Sequence, residues 1–235
     1  TMVSEAFDDL QLVGILGPVT FEIRNGEYDE YIGEVGPIPG ANATDTIVFK
    51  SESGNPADVV IHYSTDETNY RNIFHFKGLD HFTLMDVTVS ATGDNFGSTL
   101  NFNGNCENIN IINNILASAN TIDAVLGFSG GVINDISIKN NSFSKGGRGI
   151  YFYGASDNFA TNTVIENNKS TGALTDGINL RYHLSPHINN NTISTGVNPG
   201  FAGIRLRDCE KDLEVIGNKI DIESGDYGMR LHNCN

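Results

Sequence analysis

Five stretches of the chain, "INIINNIL", "ISIKNNSF", "TVIENNKS", "HINNNTI" and "EVIGNKI", repeat almost the same message at a spacing of about 26 residues. The first Asn of each pair falls at Asn113, Asn140, Asn167 and Asn190, followed by Gly217, at intervals of 27, 27, 23 and 27. One further period toward the N-terminus lies Asp86, in "FTLMDVTV". A second register runs in phase with the first: Phe76, Phe102, Phe128, Phe152, Leu180, Leu206 and Leu231, spaced by 24 to 28 residues. Each of these follows another apolar residue by two, as in "IFHF", "GIYF" and "GIRL". Such a period marks stacked repeats, and the alternation within each unit has period 2, so the units are made of strands. The unit is too short for a propeller blade and lacks a helical stripe. It fits one coil of a solenoid whose strands pair with those of the coils above and below, about 4.8 Å away. Equivalent residues then stack in columns.

The columns explain the asparagines. Asn tolerates a left-handed backbone and bonds to nearby main chain, which suits a bend between strands. Stacked side-chain amides can also bond along the column. Asn114, Asn141, Asn168, Asn191 and Asn218 are expected to form such a ladder. Three of the four glycosylation sequons, at Asn140, Asn168 and Asn190, belong to this repeat, and Asn42 stands outside it.

Composition agrees with a core of sheet: 26 glycines, no Trp and 18% charged residues favour short strands joined by tight turns. The net charge of −15 repels nucleic acid and anionic lipid, so neither is an expected partner. No apolar run approaches the roughly 18 residues that span a bilayer. Cys106, Cys209 and Cys234 show no metal-site spacing and are expected to be buried as small hydrophobes. In "SEAFDDLQLVGIL", Val3, Phe7, Leu10 and Gly14 have helical spacing. The expectation is a capping helix within residues 1–17, started by Ser4 and covering one end of a β-helix over 18–235. Thr1 precedes Met2 and the chain stops within the repeat, so a longer, multidomain protein with further coils after Asn235 is expected.

Alternation also assigns an outer face. Ile204 and Leu206 point inward, so Arg205 and Arg207 point outward. Stacking gives one outward column of His75, Asn101, Gly127, Tyr151, Asn179, Arg205 and Arg230. The next holds Lys77, Asn103, Ser129, Tyr153, Arg181, Arg207 and His232. Four of the seven arginines meet there. Like charges opposed on neighbouring strands repel. One explanation is a bound anion, with guanidinium groups pairing carboxylates or sulfates and the tyrosines offering flat apolar faces. The expected ligand is an acidic polysaccharide, held by Tyr151, Tyr153, Asn179, Arg181, Arg205, Arg207, Arg230 and His232. The other explanation is local compensation by Asp176, Asp208, Glu210 and Asp226.

The repeated "I-x-I-x-N-N-x-I" followed by "G-I-x-L" resembles the right-handed parallel β-helix of the pectin-lyase-like superfamily over nearly the whole chain. "GPVTFEIRNGEYDE", "IPG" and "TIVFKSESG" resemble the first coils of β-helix domains in large secreted bacterial proteins. The resemblance implies an extracellular or cell-surface location and a monomeric module of a carbohydrate-degrading protein. "LTDGIN" resembles the "NTDGID" of polygalacturonases, which maps Asp176 onto a catalytic carboxylate. The family's paired aspartates, Gly-His-Gly and Arg-Ile-Lys are missing, so a hydrolase is disfavoured against a lyase acting on uronate glycans. A lyase needs a base and a cation for the developing charge. Asp176, Arg205 and His183 are the catalytic candidates, and Lys77 lies about four coils from Arg181, roughly 19 Å. His183 and His187 would form an acid/base pair beside Arg181, or else lie solvated in a polar turn. No cofactor is indicated apart from a possible Ca2+ at Asp176, Asp226 or "SGDY". A passive stalk or adhesin module is the third reading.

Overall fold

The computed structural model describes residues 2–64, 72–93, 97–119, 123–195, 201–222 and 227–235. The chain winds as a right-handed parallel β-solenoid of about 7 turns, each with three short strands. One face stacks Gly33–Val35, Asn72–Lys77, Ser98–Asn103, Ala124–Ser129, Arg148–Tyr153, Ile178–Leu184, Ala202–Glu210 and Tyr227–His232. A second runs from Val19–Ile23 to Glu214–Ile216, and a third from Gly26–Asp29 to Lys219–Ile222. Neighbouring strands pair in parallel and in register, with Phe76 beside Phe102, Phe102 beside Phe128, Phe128 beside Phe152, and Phe152 beside Leu180. The rings of Phe102, Phe128 and Phe152 stack at 4.5 and 4.7 Å between centroids, fully buried. The column predicted from the period is the spine of the core.

Corners follow from single left-handed residues. Asp86, Asn113, Asn140, Asn167 and Asn190 have φ between 54° and 58°, and Gly217 has 68°. The next residue at each corner turns inward. Asn114 donates from both its backbone N–H (2.9 Å) and its amide (3.1 Å) to Oδ1 of Asn141, and its amide also reaches the Leu84 carbonyl at 2.9 Å. The same pattern links Asn141 to Asn168, Asn168 to Asn191 and Asn191 to Asn218. The ladder is therefore present as read, and Asn168, despite its sequon, is buried within it.

The helix spans Val3–Val13 and buries Val3, Phe7 and Leu10. Phe7 stacks on Phe49 at 4.3 Å and meets Phe74, Phe76 and Phe82, covering the end of the apolar interior. Its start differs from the sequence expectation, because Ser4 lies inside the first turn. The cap is the buried carboxylate of Glu30, which accepts from the N–H groups of Val3 (3.1 Å) and Ser4 (2.9 Å). A carboxylate of the first coil, distant in sequence, satisfies two free helix donors and faces the positive end of the helix dipole.

One departure from strict alternation shapes the first face. Six consecutive coils of this face carry two inward residues in a row: Ile73 and Phe74, Thr99 and Leu100, Val125 and Leu126, then Gly149 and Ile150, Gly177 and Ile178, Gly203 and Ile204. In the later coils the first of the two is glycine because a Cβ on Gly149 would strike Ser170 and the Gly177 backbone, and one on Gly177 or Gly203 would strike Ile193 or Ile220. The phase break returns the preceding residue to the outer side. Arg148 and Asp176 thus join a third column beside the two that alternation defines.

Candidate cationic groove on the first face

The two predicted columns exist with the predicted neighbours: Tyr151, Asn179, Arg205 and Arg230 in one, and Tyr153, Arg181, Arg207 and His232 in the other. Together with Arg148, Asp176 and Phe201 they line a groove of about 370 Å³. Every predicted binding residue is in it. Of the three catalytic candidates, Asp176 and Arg205 are present and His183 is not.

Asp176 is 1% exposed, and both of its oxygens are taken. Arg205 Nε donates to each at 3.0 Å, the Asn179 amide to Oδ2 at 2.7 Å, and the Ala202 N–H to Oδ1 at 2.9 Å. The carboxylate holds Arg205 and Asn179 in place, a role for which burial is an advantage. Arg148 approaches Oδ2 only to 3.9 Å; its Nε is buried without a hydrogen-bond partner, and its guanidinium lies 4.8 Å from the Tyr151 ring centre. Burial, opposed by Arg148, pushes the Tyr151 phenol above its ordinary pKa.

Arg181 is held from three sides. It donates to Asp208 Oδ2 at 3.0 Å, to the Tyr153 hydroxyl at 2.8 Å and to the Tyr182 hydroxyl at 2.5 Å. Its guanidinium lies 5.0 and 4.4 Å from the two ring centres. The Asn233 amide, donating at 3.0 Å, together with Arg181 and nearby Arg207, holds the Asp208 carboxyl below its usual range despite the opposing effect of burial.

Local compensation therefore accounts for Arg181 and Arg205. Among the described residues Arg207 and Arg230 make no ion pair or hydrogen bond, and Arg230 lies over the Tyr227 ring at 5.0 Å. Glu210 forms no ion pair among the described residues, and Asp226 and most of "SGDY" lie outside them. Five guanidinium groups face two carboxylates, Asp176 and Asp208, an excess of three positive charges on a chain of net charge −15. Down the same face the groove continues into a second hollow of about 340 Å³, sharing Arg148 and Tyr151 and lined otherwise mainly by Asn72, Ser98, Asn101, Asn103, Ser129 and one carboxylate, Asp123. The described residues include no group of three His, Cys, Asp or Glu side chains placed to hold a metal ion.

Both readings of His183 are corrected. Tyr182 adopts φ 59°, which breaks the alternation after Arg181 and sends His183 into the core. The ring is fully buried, edge-on to Phe152 at 4.3 Å, with Nδ1 3.1 Å from Thr163 Oγ1. Burial lowers its pKa to about 3, so it is held neutral. His187 lies on the second face, 3.9 Å from Glu214, and the two histidines form no pair beside Arg181. Lys77 sits four coils down the column from Arg181, 3.5 Å from Glu34. Arg148 and Phe201 were not read from the sequence. Strict alternation sets Arg148 on the same side as inward Ile150, and only the run of glycines before each "I-x-L" signalled the phase break.

A family model described as "Right handed beta helix region" matches residues 73–235, more than two thirds of the chain. Among solved structures, the pectin methylesterase from Aspergillus niger in deglycosylated form aligns at 11% identity and a TM-score of 0.45. That alignment covers 100% of this chain and 81% of the other. The penultimately deglycosylated form of the same enzyme aligns at 12% identity and a TM-score of 0.39, with the same coverage. At these values the likeness carries no argument about activity. No curated protein matches the sequence.

Proposed function

The chain belongs to the right-handed β-helix family, and on that scaffold we propose that the cationic groove binds a segment of an extended acidic polysaccharide outside the cell. The observation that carries this is the concentration of five arginines and two tyrosines around one hollow of a strongly acidic chain. The volume, about 370 Å³, lies near the lower end of the ~300–1,000 Å³ typical of small-ligand pockets, so a short stretch of chain is engaged. Guanidinium groups pair carboxylate or sulfate oxygens, Tyr151 and Tyr153 give rings for sugar faces, and the amides, hydroxyls and single carboxylate, Asp123, of the hollow below suit sugar hydroxyls.

Arg207 and Arg230 are the residues to remove, since Arg205 is bonded to buried Asp176 and its loss would disturb the fold as well. Titration calorimetry with pectate, alginate and chondroitin sulfate oligosaccharides would compare wild type with Arg207→Gln/Arg230→Gln. Each charge-assisted contact contributes ~1.5–3 kcal/mol, so affinity should fall at least about tenfold. Equal affinity of the two proteins overturns the proposal, and binding of none of the glycans by the folded wild type favours a stalk module. A lyase is the second reading, favoured by the bridge from Arg181 to the Tyr153 and Tyr182 hydroxyls, which sets a cation beside two groups able to exchange protons. It predicts unsaturated uronate products, visible by ultraviolet absorbance on incubation with the same glycans.

A further inference from the structure

The coil that closes the groove carries a feature that anion binding does not use. Cys209 and Cys234 occupy equivalent positions one coil apart. The register that sets Arg205 beside Arg230 and Arg207 beside His232 continues through the bond from Asn233 to Asp208 and the bond from the Asn235 N–H to the Cys209 carbonyl at 3.2 Å. Each thiol points at the carbonyl two residues before it, Cys209 at Arg207 (3.4 Å) and Cys234 at His232 (3.5 Å). Vertical neighbours in a parallel stack lie about 4.8 Å apart, inside the ~4.4–6.8 Å range of Cα separations that a disulfide spans.

From this stacking we propose that Cys209 and Cys234 are a modification site, a thiol pair that oxidises to a disulfide fastening the coil of Arg230 and His232 to the coil of Arg205 and Arg207. The oxidant is a disulfide, either a small molecule such as glutathione disulfide or a disulfide oxidoreductase. Cys234, partly exposed, attacks as thiolate and releases one thiolate of the oxidant, leaving a mixed disulfide. Cys209, buried beneath it, then attacks the Cys234 sulfur and releases the second. Two protein thiols lose two protons and two electrons, and the oxidant disulfide becomes two thiols. Burial pushes the Cys209 thiol up to about 12, so the second step is the slow one. Cys106, on the second face and buried with no cysteine beside it among the described residues, is the internal control.

The test equilibrates the whole chain in graded mixtures of reduced and oxidised glutathione, quenches with an alkylating agent under denaturing conditions, and maps the peptides without reduction. The expected result is joint loss of labelling at Cys209 and Cys234, a linked peptide containing both, and full labelling of Cys106. In Cys209→Ser the glutathione adduct should persist on Cys234 instead of passing on. Labelling of all three cysteines at every mixture overturns the proposal. So does a Cys234 adduct that persists in wild type as it does in Cys209→Ser, or pairing of either cysteine with Cys106.

Discussion

Two columns of stacked side chains run along this solenoid, and they solve opposite problems. At the corner between the second and third faces, each Asn from 114 to 191 gives its amide hydrogens to the carbonyl oxygen of the next and to a backbone carbonyl of the coil before. On the first face, Arg181 stands over Arg207 and Arg205 over Arg230. An amide is donor and acceptor at once, so a column of amides closes on itself and can be buried. A guanidinium only donates, and a column of them can be satisfied only from outside it. Asp176, Asp208 and the Tyr153 and Tyr182 hydroxyls supply such acceptors, and Arg207 and Arg230 have none among the described residues.

Breaking the amide column should have the largest effect on stability. Asn141→Ala strands the Asn114 N–H and one Asn114 amide hydrogen, both buried, and takes from the Ile111 carbonyl its side-chain donor. At ~1–3 kcal/mol per unmatched buried group, the loss should be about 4 kcal/mol in denaturant unfolding. A cost below about 1 kcal/mol would mean that the ladder follows the coil geometry and does not hold it.

The strand bearing Arg181 offers the second test, because two residues along it a polar side chain faces the core. Burial holds His183 neutral with a pKa of about 3, against ~6.5 in the unfolded chain. Between those values the unfolded chain binds one more proton, so the stability contribution is complete above pH ~6.5 and is lost as pH falls toward 3. One proton corresponds to a slope of ~1.4 kcal/mol per pH unit, or about 3 kcal/mol between pH 6 and 4. His183→Leu should flatten that limb by this amount whatever its stability at neutral pH. Equal slopes would place the ring in solvent.

His183 also shows where the sequence was legible and where it was not. The period, the Phe column, the amide ladder and both outward columns could be read because each repeats a local rule, alternation or a left-handed Asn, many times. What failed were single breaks in those rules. Tyr182 takes a left-handed conformation with an aromatic side chain, which no propensity suggests, and so His183 turned inward. The pair of adjacent inward residues in six first-face coils moved Arg148 and Asp176 to the groove, and the helix cap came from Glu30, 26 residues beyond Ser4. These depend on which coils touch, a property of the stack and not of any one unit.

Asp176 probes the boundary between the columns, being a buried acceptor placed under a donor-only stack. Asp176→Asn keeps the shape but leaves Arg205 without its counter-ion. Because Arg205 is itself about 21% exposed, water recovers part of the loss, and a cost of ~2 kcal/mol is expected, below the 3–5 kcal/mol of a fully buried pair.

The smallest effect is the sharpest, because its sign is the opposite one. Arg207 is exposed, makes no ion pair among the described residues, and lies beside Arg181 on the next coil. Arg207→Gln therefore removes a like-charge neighbour of Arg181 together with only a weak attraction to Asp208, which Arg181 already pairs at 3.0 Å, and should raise the unfolding free energy by at most a few tenths of a kcal/mol at low ionic strength. Salt should erase the gain, since at about 1 M the screening length falls to ~3 Å, shorter than the spacing between coils. Thermal melts of both proteins across a salt series would measure it. A gain that persists in high salt would point to packing, and a loss at low salt would mean that Arg207 has a partner on the protein and that the open cation belongs to Arg230 alone.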